Sequence, residues 1–249
     1  MSGAQWVAVR GVGFFSPGFS DHAAWRSGVA DPAVVGPREL IPAAARRRAT
    51  WGARAAADVL AQALNGGPAD GVALVYGSVG GELEQTFANL ELLDARPPSS
   101  SPLRFGNSVH NAALGHLSIP VGNRRFGSAL AAPPELLLPM VLLEAVLWAR
   151  SHSEPVAVMW VEEVWPGCAF PPFAAAMVLD PVPAPGAPAV GAITTPRRGS
   201  AAGPGSSPLD TSPAAGVAAW LRHLGPAAAT LGLGGGWEID WRAGEVGGV

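Results

Sequence analysis

One cysteine in 249 residues leaves no partner for an intramolecular disulfide and too few thiolates for a cysteine-based zinc site. Charge is scarce too, at 14% of residues with a formal balance of −3, so the basic footprint of a nucleic-acid-binding surface is missing. With 49% hydrophobic residues the composition also excludes a disordered chain. No apolar run is long enough for a membrane span. The most apolar stretch, Leu136 to Ala149, is too short to cross a bilayer and contains Pro139 and Glu144. The opening residues, MSGAQWVAVRGVG, lack a basic segment followed by a long apolar run, so no secretory signal is expected and the protein is read as cytoplasmic.

What is present reads as an α/β chain. Trp6 to Phe15 is a β-branched and aromatic run closed by Ser16-Pro17-Gly18, a buried strand ending in a turn. Its Gly-x-Gly is no dinucleotide fingerprint, because Pro17 interrupts where a helix would have to begin. Asp21 to Gly28 suits a short helix with Asp21 near its start. Ala43 to Leu64 reads as one long helix with Ala56, Val59, Leu60, Ala63 and Leu64 on its apolar face, stopped by Asn65-Gly66-Gly67-Pro68. Gly71 to Tyr76 is a second buried strand. It runs into Gly77-Ser78-Val79-Gly80-Gly81 and then a helix from Glu82 to Leu93, the strand–turn–helix unit of a parallel α/β sheet. A phosphate cradle in that turn would need the Lys-Ser/Thr of a P-loop, which is absent.

Glu135 to Ala149 is a helix hydrophobic nearly all round, hence buried, with Pro139 admissible only in its first turn. Pro155 to Val161 and Phe173 to Leu179 are further buried strands. The domain is expected to span residues 1–195, followed by a Gly/Ser/Pro-rich linker over 196–213 and a tail over 214–249. The tail offers a helix over Ala214 to Leu224 and a strand over Trp237 to Trp241. No metal site and no cofactor are expected.

The most specific stretch is Arg104-Phe105-Gly106-Asn107-Ser108-Val109-His110-Asn111-Ala112-Ala113. It resembles the Phe-x-Asn-Ser-Val-His-Asn signature of the small β-ketoacyl-synthase-like proteins, half-length relatives of ketosynthases found with aryl-polyene and similar polyketide pathways and often labelled chain-length factors. The opening strand with its Ser-Pro-x-Gly turn, the Gly-Ser-x-x-Gly turn and the arginine cluster Arg46-Arg47-Arg48 match ketosynthases as well, and the resemblance runs from about Trp6 to about Asp180. It implies a thiolase-like fold, a mixed sheet flanked by helices, and only the first of the two halves of a full ketosynthase. A docking patch for an acidic carrier protein is one reading of the arginine cluster; a solvated helix face is favoured over it.

The resemblance also says what is missing. The nucleophilic cysteine of a ketosynthase matches the stretch Ser128-Ala129-Leu130-Ala131-Ala132, with Leu130 in its place, and neither Ala129 nor Ala131 would serve better. The catalytic histidines belong to the absent second half. Cys168, His22, His152 and His223 read as ordinary loop and surface residues. The resemblance then implies a non-catalytic subunit that pairs with a full-length β-ketoacyl synthase, meets acyl carrier protein through that partner, and limits acyl chain length. Phe105, Asn107, His110, Asn111, Leu114 and Leu117 are the candidates for its interface and acyl pocket. The spacing of Asn107, His110 and Asn111 predicts one shared helix face and a hydrogen-bonded cluster. The alternative is a standalone acyltransferase or hydrolase using Ser128 with His110, although no Gly-x-Ser-x-Gly elbow surrounds Ser128. Without a second half, the apolar helix after Pro134 must be covered by the tail or by another protein.

Overall fold

The computed structural model describes residues 6–38, 40–164, 171–182, 189–199, 221, 224 and 228–244. Cys168, His223 and most of the expected linker and tail helix lie outside the described residues. The strands are β1 (Val7–Phe15), β2 (Ala73–Gly77), β3 (Gly127–Leu130), β4 (Val156–Glu162), β5 (Phe173–Asp180), β6 (Gly191–Ile193), β7 (Arg197–Arg198), β8 (Ala229–Gly234) and β9 (Trp237–Ala243). They form one mixed sheet in the order β3-β2-β4-β5-β1-β6-β9-β7, with β8 on β9. Strand β2 runs parallel to both β3 and β4; the other pairings are antiparallel. The helices are α1 (His22–Ser27), α2 (Ala43–Arg46), α3 (Trp51–Leu64), α4 (Leu83–Asp94), α5 (Pro102–Asn107), α6 (Ala112–Val121) and α7 (Pro134–His152).

The central strands are apolar without alternation because helices cover both faces. Every residue of β2, β4 and β5 is buried. The pleat sends Leu74, Tyr76, Ala157 and Met159 to one side, where they pack with Val59 of α3 and with Leu114 and Leu117 of α6. Val75, Val158 and Trp160 go to the other side, onto Leu138, Val141 and Leu142 of α7.

Helix α3 crosses β1 at close range. A Cβ on Gly11 would strike the carbonyl of Ala63, and one on Gly13 the carbonyl of Val59. The Gly-x-Gly of the first strand therefore serves backbone-to-backbone packing, and no nucleotide turn. The expected helix over 43–64 is two helices. Residues 47–50 leave the helix, and the Thr50 side chain caps α3 by accepting from Ala53 N–H. That local cap outcompetes a helix propensity running through the whole Ala/Arg-rich stretch. Pro139 also differs from expectation. Helix α7 starts at Pro134, so Pro139 falls in its second turn and removes an intrahelical bond there.

Helix α7 is covered largely from within the chain. Strands β8 and β9 form a hairpin through Gly235 and Gly236, both at positive φ (54° and 75°), as a two-residue turn of this kind requires. Strand β8 lies against α7, and Leu221, Leu233, Ile239 and Trp241 join its apolar cluster. The C-terminal residues thus extend the sheet itself. His22 is tied into this closure, its Nε2 donating to the Leu221 carbonyl at 3.1 Å.

The α3–β1 crossing gives a direct test. Gly13→Ala forces a methyl into the Val59 carbonyl, so the urea unfolding midpoint should drop by the equivalent of roughly 2–4 kcal/mol, while Gly106→Ala, in open space, should stay within about 0.5 kcal/mol of the parent.

Candidate functional site

The signature segment lies beside the sheet edge formed by β3. Helix α5 ends at Asn107 and α6 starts at Ala112, so the segment turns between them. Two hydrogen bonds converge on the Leu130 carbonyl at the end of β3: Ser78 N–H donates at 3.2 Å and His110 Nε2 at 2.9 Å. The His110 ring also rests on Gly81, where a Cβ would lie 2.6 Å from Nδ1, and meets Tyr76 edge-on at 6.4 Å between centroids. Gly81 has φ 63°, so its lack of a side chain serves both the turn and the imidazole. The turn after β2, the signature segment and the edge strand are therefore one packed unit.

Below that turn sit three buried carboxyls. Glu162, the last residue of β4, accepts from Val79 N–H at 2.6 Å and from the Ser78 hydroxyl at 3.1 Å; Ser78 Oγ in turn accepts from Gly81 N–H at 2.8 Å. Glu163 accepts from Gly52 N–H in the first turn of α3 and from Glu84 N–H in the first turn of α4, both at 3.2 Å. One carboxylate thus serves two helix N-termini, where a negative charge is favoured. Glu82, at the N-cap of α4, is 1% exposed and neither oxygen makes a hydrogen bond of good geometry, although the Thr50 hydroxyl and the Glu163 carboxyl face it.

Burial raises all three glutamates. Glu162 is pushed up to about 7, with the backbone and Ser78 bonds opposing the shift. Glu82 is pushed up to about 9 by burial first and by the Glu163 charge second. Glu163 is raised by burial, against its bonds to Glu84 and Gly52 N–H. The same charges, after burial, hold the Tyr76 phenol well above its ordinary range. These residues do not group as ligands. Among the described residues no set of three or more His, Cys, Asp or Glu could hold a metal ion.

The sequence candidates lie in different environments. Phe105 is 69% exposed on α5. Leu114 and Leu117 are buried in the chain's own core against α3 and the sheet. Asn107, His110 and Asn111 do not bond to one another. Asn107 donates from Nδ2 to the Arg48 carbonyl at 2.8 Å and accepts from His116 Nε2 at 3.1 Å. Asn111 is exposed at the N-cap of α6 without a side-chain capping bond. The shared helix face fails because the helix stops between residues 107 and 112. Ser128 and Ala129 are half-buried on β3, and Leu130 packs toward α7. His110 spends its Nε2 proton on the Leu130 carbonyl, so that nitrogen is a donor and no base for Ser128.

Sequence reasoning found the helix α4 but passed over its outward apolar face. The helix contains no buried residue, and Phe87, Leu90 and Leu93 face outward together. Leu103, Phe105 and Val109, on α5 and in the turn after it, are exposed as well, and α5 packs on α4. The 3-residue spacing of Phe87, Leu90 and Leu93 was the available signal. No helix of the described residues is long and apolar enough to cross a membrane.

The chain matches the family described as "Beta-ketoacyl synthase, N-terminal domain" over residues 20–204. Among solved structures, a chain of the ketosynthase ApeO in complex with its chain length factor ApeC, from Xenorhabdus doucetiae, superposes with TM-score 0.68 at 24% identity, covering 95% of this chain and 98% of that one. The ishigamide ketosynthase/chain length factor gives 0.58 at 17% identity, over 75% of this chain and 65% of that one. The AntDE ketosynthase complex with the type II acyl-carrier protein AntF gives 0.64 at 14%, over 78% and 68%. At these identities the likeness establishes the fold, which is thiolase-like. No curated protein matches the sequence.

The raised carboxyls set a pH dependence. In the folded state Glu162 holds a proton up to about pH 7, whereas in the unfolded chain it releases it near the ordinary 4.5. Its stabilising share is complete below the unfolded value and is lost as pH rises through the folded one. Glu162→Gln should therefore flatten the fall of the urea midpoint between about pH 4.5 and about pH 7; an unchanged slope would show that Glu162 does not titrate as its burial dictates.

Proposed function

The chain belongs to the β-ketoacyl synthase family by its N-terminal domain, and from that premise we propose that it is a non-catalytic, ketosynthase-like subunit of chain-length-factor type. It pairs with a full-length β-ketoacyl synthase in polyketide, aryl-polyene or fatty-acid-type chain elongation and limits the length of the acyl chain. Acyl carrier protein is engaged through the partner. The observation that carries this reading is the start of α7. From Ala129 to Arg150 there is no cysteine, serine or threonine, and the helix opens on Pro133-Pro134. Two prolines remove two N–H groups from the place where a helix N-terminus would otherwise activate a thiol or bind an oxyanion.

The exposed surface of α4 and α5 supports a partner, as does β3, an edge strand among the described residues. A wall on this subunit would select chain length sterically. An extra carbon unit that must displace a packed side chain meets an overpacking cost of roughly 1–3 kcal/mol. Phe105 is the wall candidate with a side chain free to reach across an interface. Leu114 and Leu117 already pack at home and can act only by shaping the segment. The engagement of His110 with the Leu130 carbonyl weighs against the Ser128 acyltransferase or hydrolase.

Co-expression with a full-length ketosynthase of the same pathway tests the proposal. The two chains should co-purify one to one. Leu90→Asp should weaken that association by about tenfold or more while leaving the subunit's own thermal midpoint unchanged. Phe105→Ala should assemble and shift products toward longer chains, and Cys168→Ala should change nothing. A stable monomer that ignores the ketosynthase, or turnover by the chain alone, would refute the proposal.

A further inference from the structure

Helix α4 is weakly secured. None of its residues is buried, its own N-cap residue Glu82 makes no side-chain capping bond, and its main packing partner is α5. Its hold on the sheet comes down to its first turn. There Glu84 N–H donates to Glu163 Oε2, and the Glu82 carboxyl is folded underneath with both oxygens lacking a well-formed hydrogen bond. The groups around that carboxyl are Glu162 and Glu163 from the end of β4, Tyr76 from β2, Thr50 from the cap of α3, Glu84 from α4 itself, and His110, which rests on the adjoining Gly81. The two charges acting on Glu82, those of Glu163 and Glu84, are both acidic.

We infer that Glu82 and Glu163 form a proton-operated latch on the α4–α5 arm: a proton held between the two carboxyls seats the arm, and its loss to solvent releases it. Because that arm carries the apolar surface assigned above to the ketosynthase partner, the latch regulates that contact and in this respect rests on the proposed function. With one proton present, Glu82 can donate to Glu163 and both carboxyls are satisfied. With none, two carboxylates share a dry site and repel each other with little screening. One element must then move. Glu163 continues a fully buried strand, and α3 is held by eight buried residues from Gly52 to Ala63. Helix α4 has none, so moving it costs least. The turn at Gly81 moves with it, and His110 transmits the change to the Leu130 carbonyl and the edge strand.

Amide hydrogen exchange of the full native chain from about pH 6 to about pH 10, corrected for the intrinsic pH dependence of exchange, tests this. Protection of Leu83–Asp94 should be level at the lower pH and then fall by up to about tenfold per pH unit as the proton is lost, while Trp51–Leu64 keeps its protection. Glu82→Gln should hold the arm protected throughout, since its amide can donate to Glu163 as the protonated acid does. Glu91→Gln, on an exposed side chain farther along the same helix, should keep the native profile. A level native profile, an equal loss in both helices, or a native slope in Glu82→Gln would overturn the latch, and the first two need no variant. Affinity for the ketosynthase should follow the native profile and stay level in Glu82→Gln. If α4 loosens with pH but no ketosynthase binds at any pH, the proposed function fails and the latch stands. If the ketosynthase binds and α4 is indifferent to pH, the latch fails and the function stands.

Discussion

Two adjacent glutamates at the end of β4 hold together segments that come from distant parts of the chain. Glu162 ties down the turn between β2 and α4, and Glu163 accepts from the first turns of α3 and α4. Carboxyls are costly to bury charged, and here converging N–H groups offset part of that cost while burial still raises both. Everything at the signature end of the molecule depends on this arrangement. The turn it fixes carries Gly81, Gly81 seats His110, and His110 meets Leu130 at the edge of the sheet.

The constraint divides the protein into two mechanical parts. The sheet with α3, α6 and α7 is packed on both faces and closed at one end by the β8–β9 hairpin. The α4–α5 arm is attached mainly through its first turn and exposes apolar side chains. Under the proposed function, the rigid layer keeps the shape of a ketosynthase half, and the loosely held apolar arm beside it meets the partner whose pocket this chain completes.

Much of the sheet was legible in the sequence because burial on both faces leaves uninterrupted apolar runs, as in β4 and β5. The Asp21 cap of α1 was legible too, since Asp at a helix start has a local mechanism. The gap between α2 and α3 was hidden, because Ala and Arg favour helix on both sides and only Thr50 marks the restart. The spacing of Asn107, His110 and Asn111 misled because it presumes a continuous helix, and the chain turns between residues 107 and 112. Strand β8 is glycine-rich and weak in β-formers, although Gly235-Gly236 before Trp237 is a hairpin signal. The carboxyl cluster could not be read from spacing at all. Ser78 and Glu162 stand 84 positions apart, and only the parallel pairing of β2 with β4 makes them neighbours. A pair of glutamates directly after the apolar run VAVMWV was the one local hint.

Under the proposed function, this chain shapes an acyl pocket without ever carrying the acyl group. The most direct test is to let the assembled pair react with a labelled acyl-thioester carrier and to locate the label by intact-protein and peptide mass spectrometry. A non-catalytic role leaves label on the partner ketosynthase and none on this chain, Ser128 and Cys168 included. Stoichiometric acyl label on this chain would contradict it.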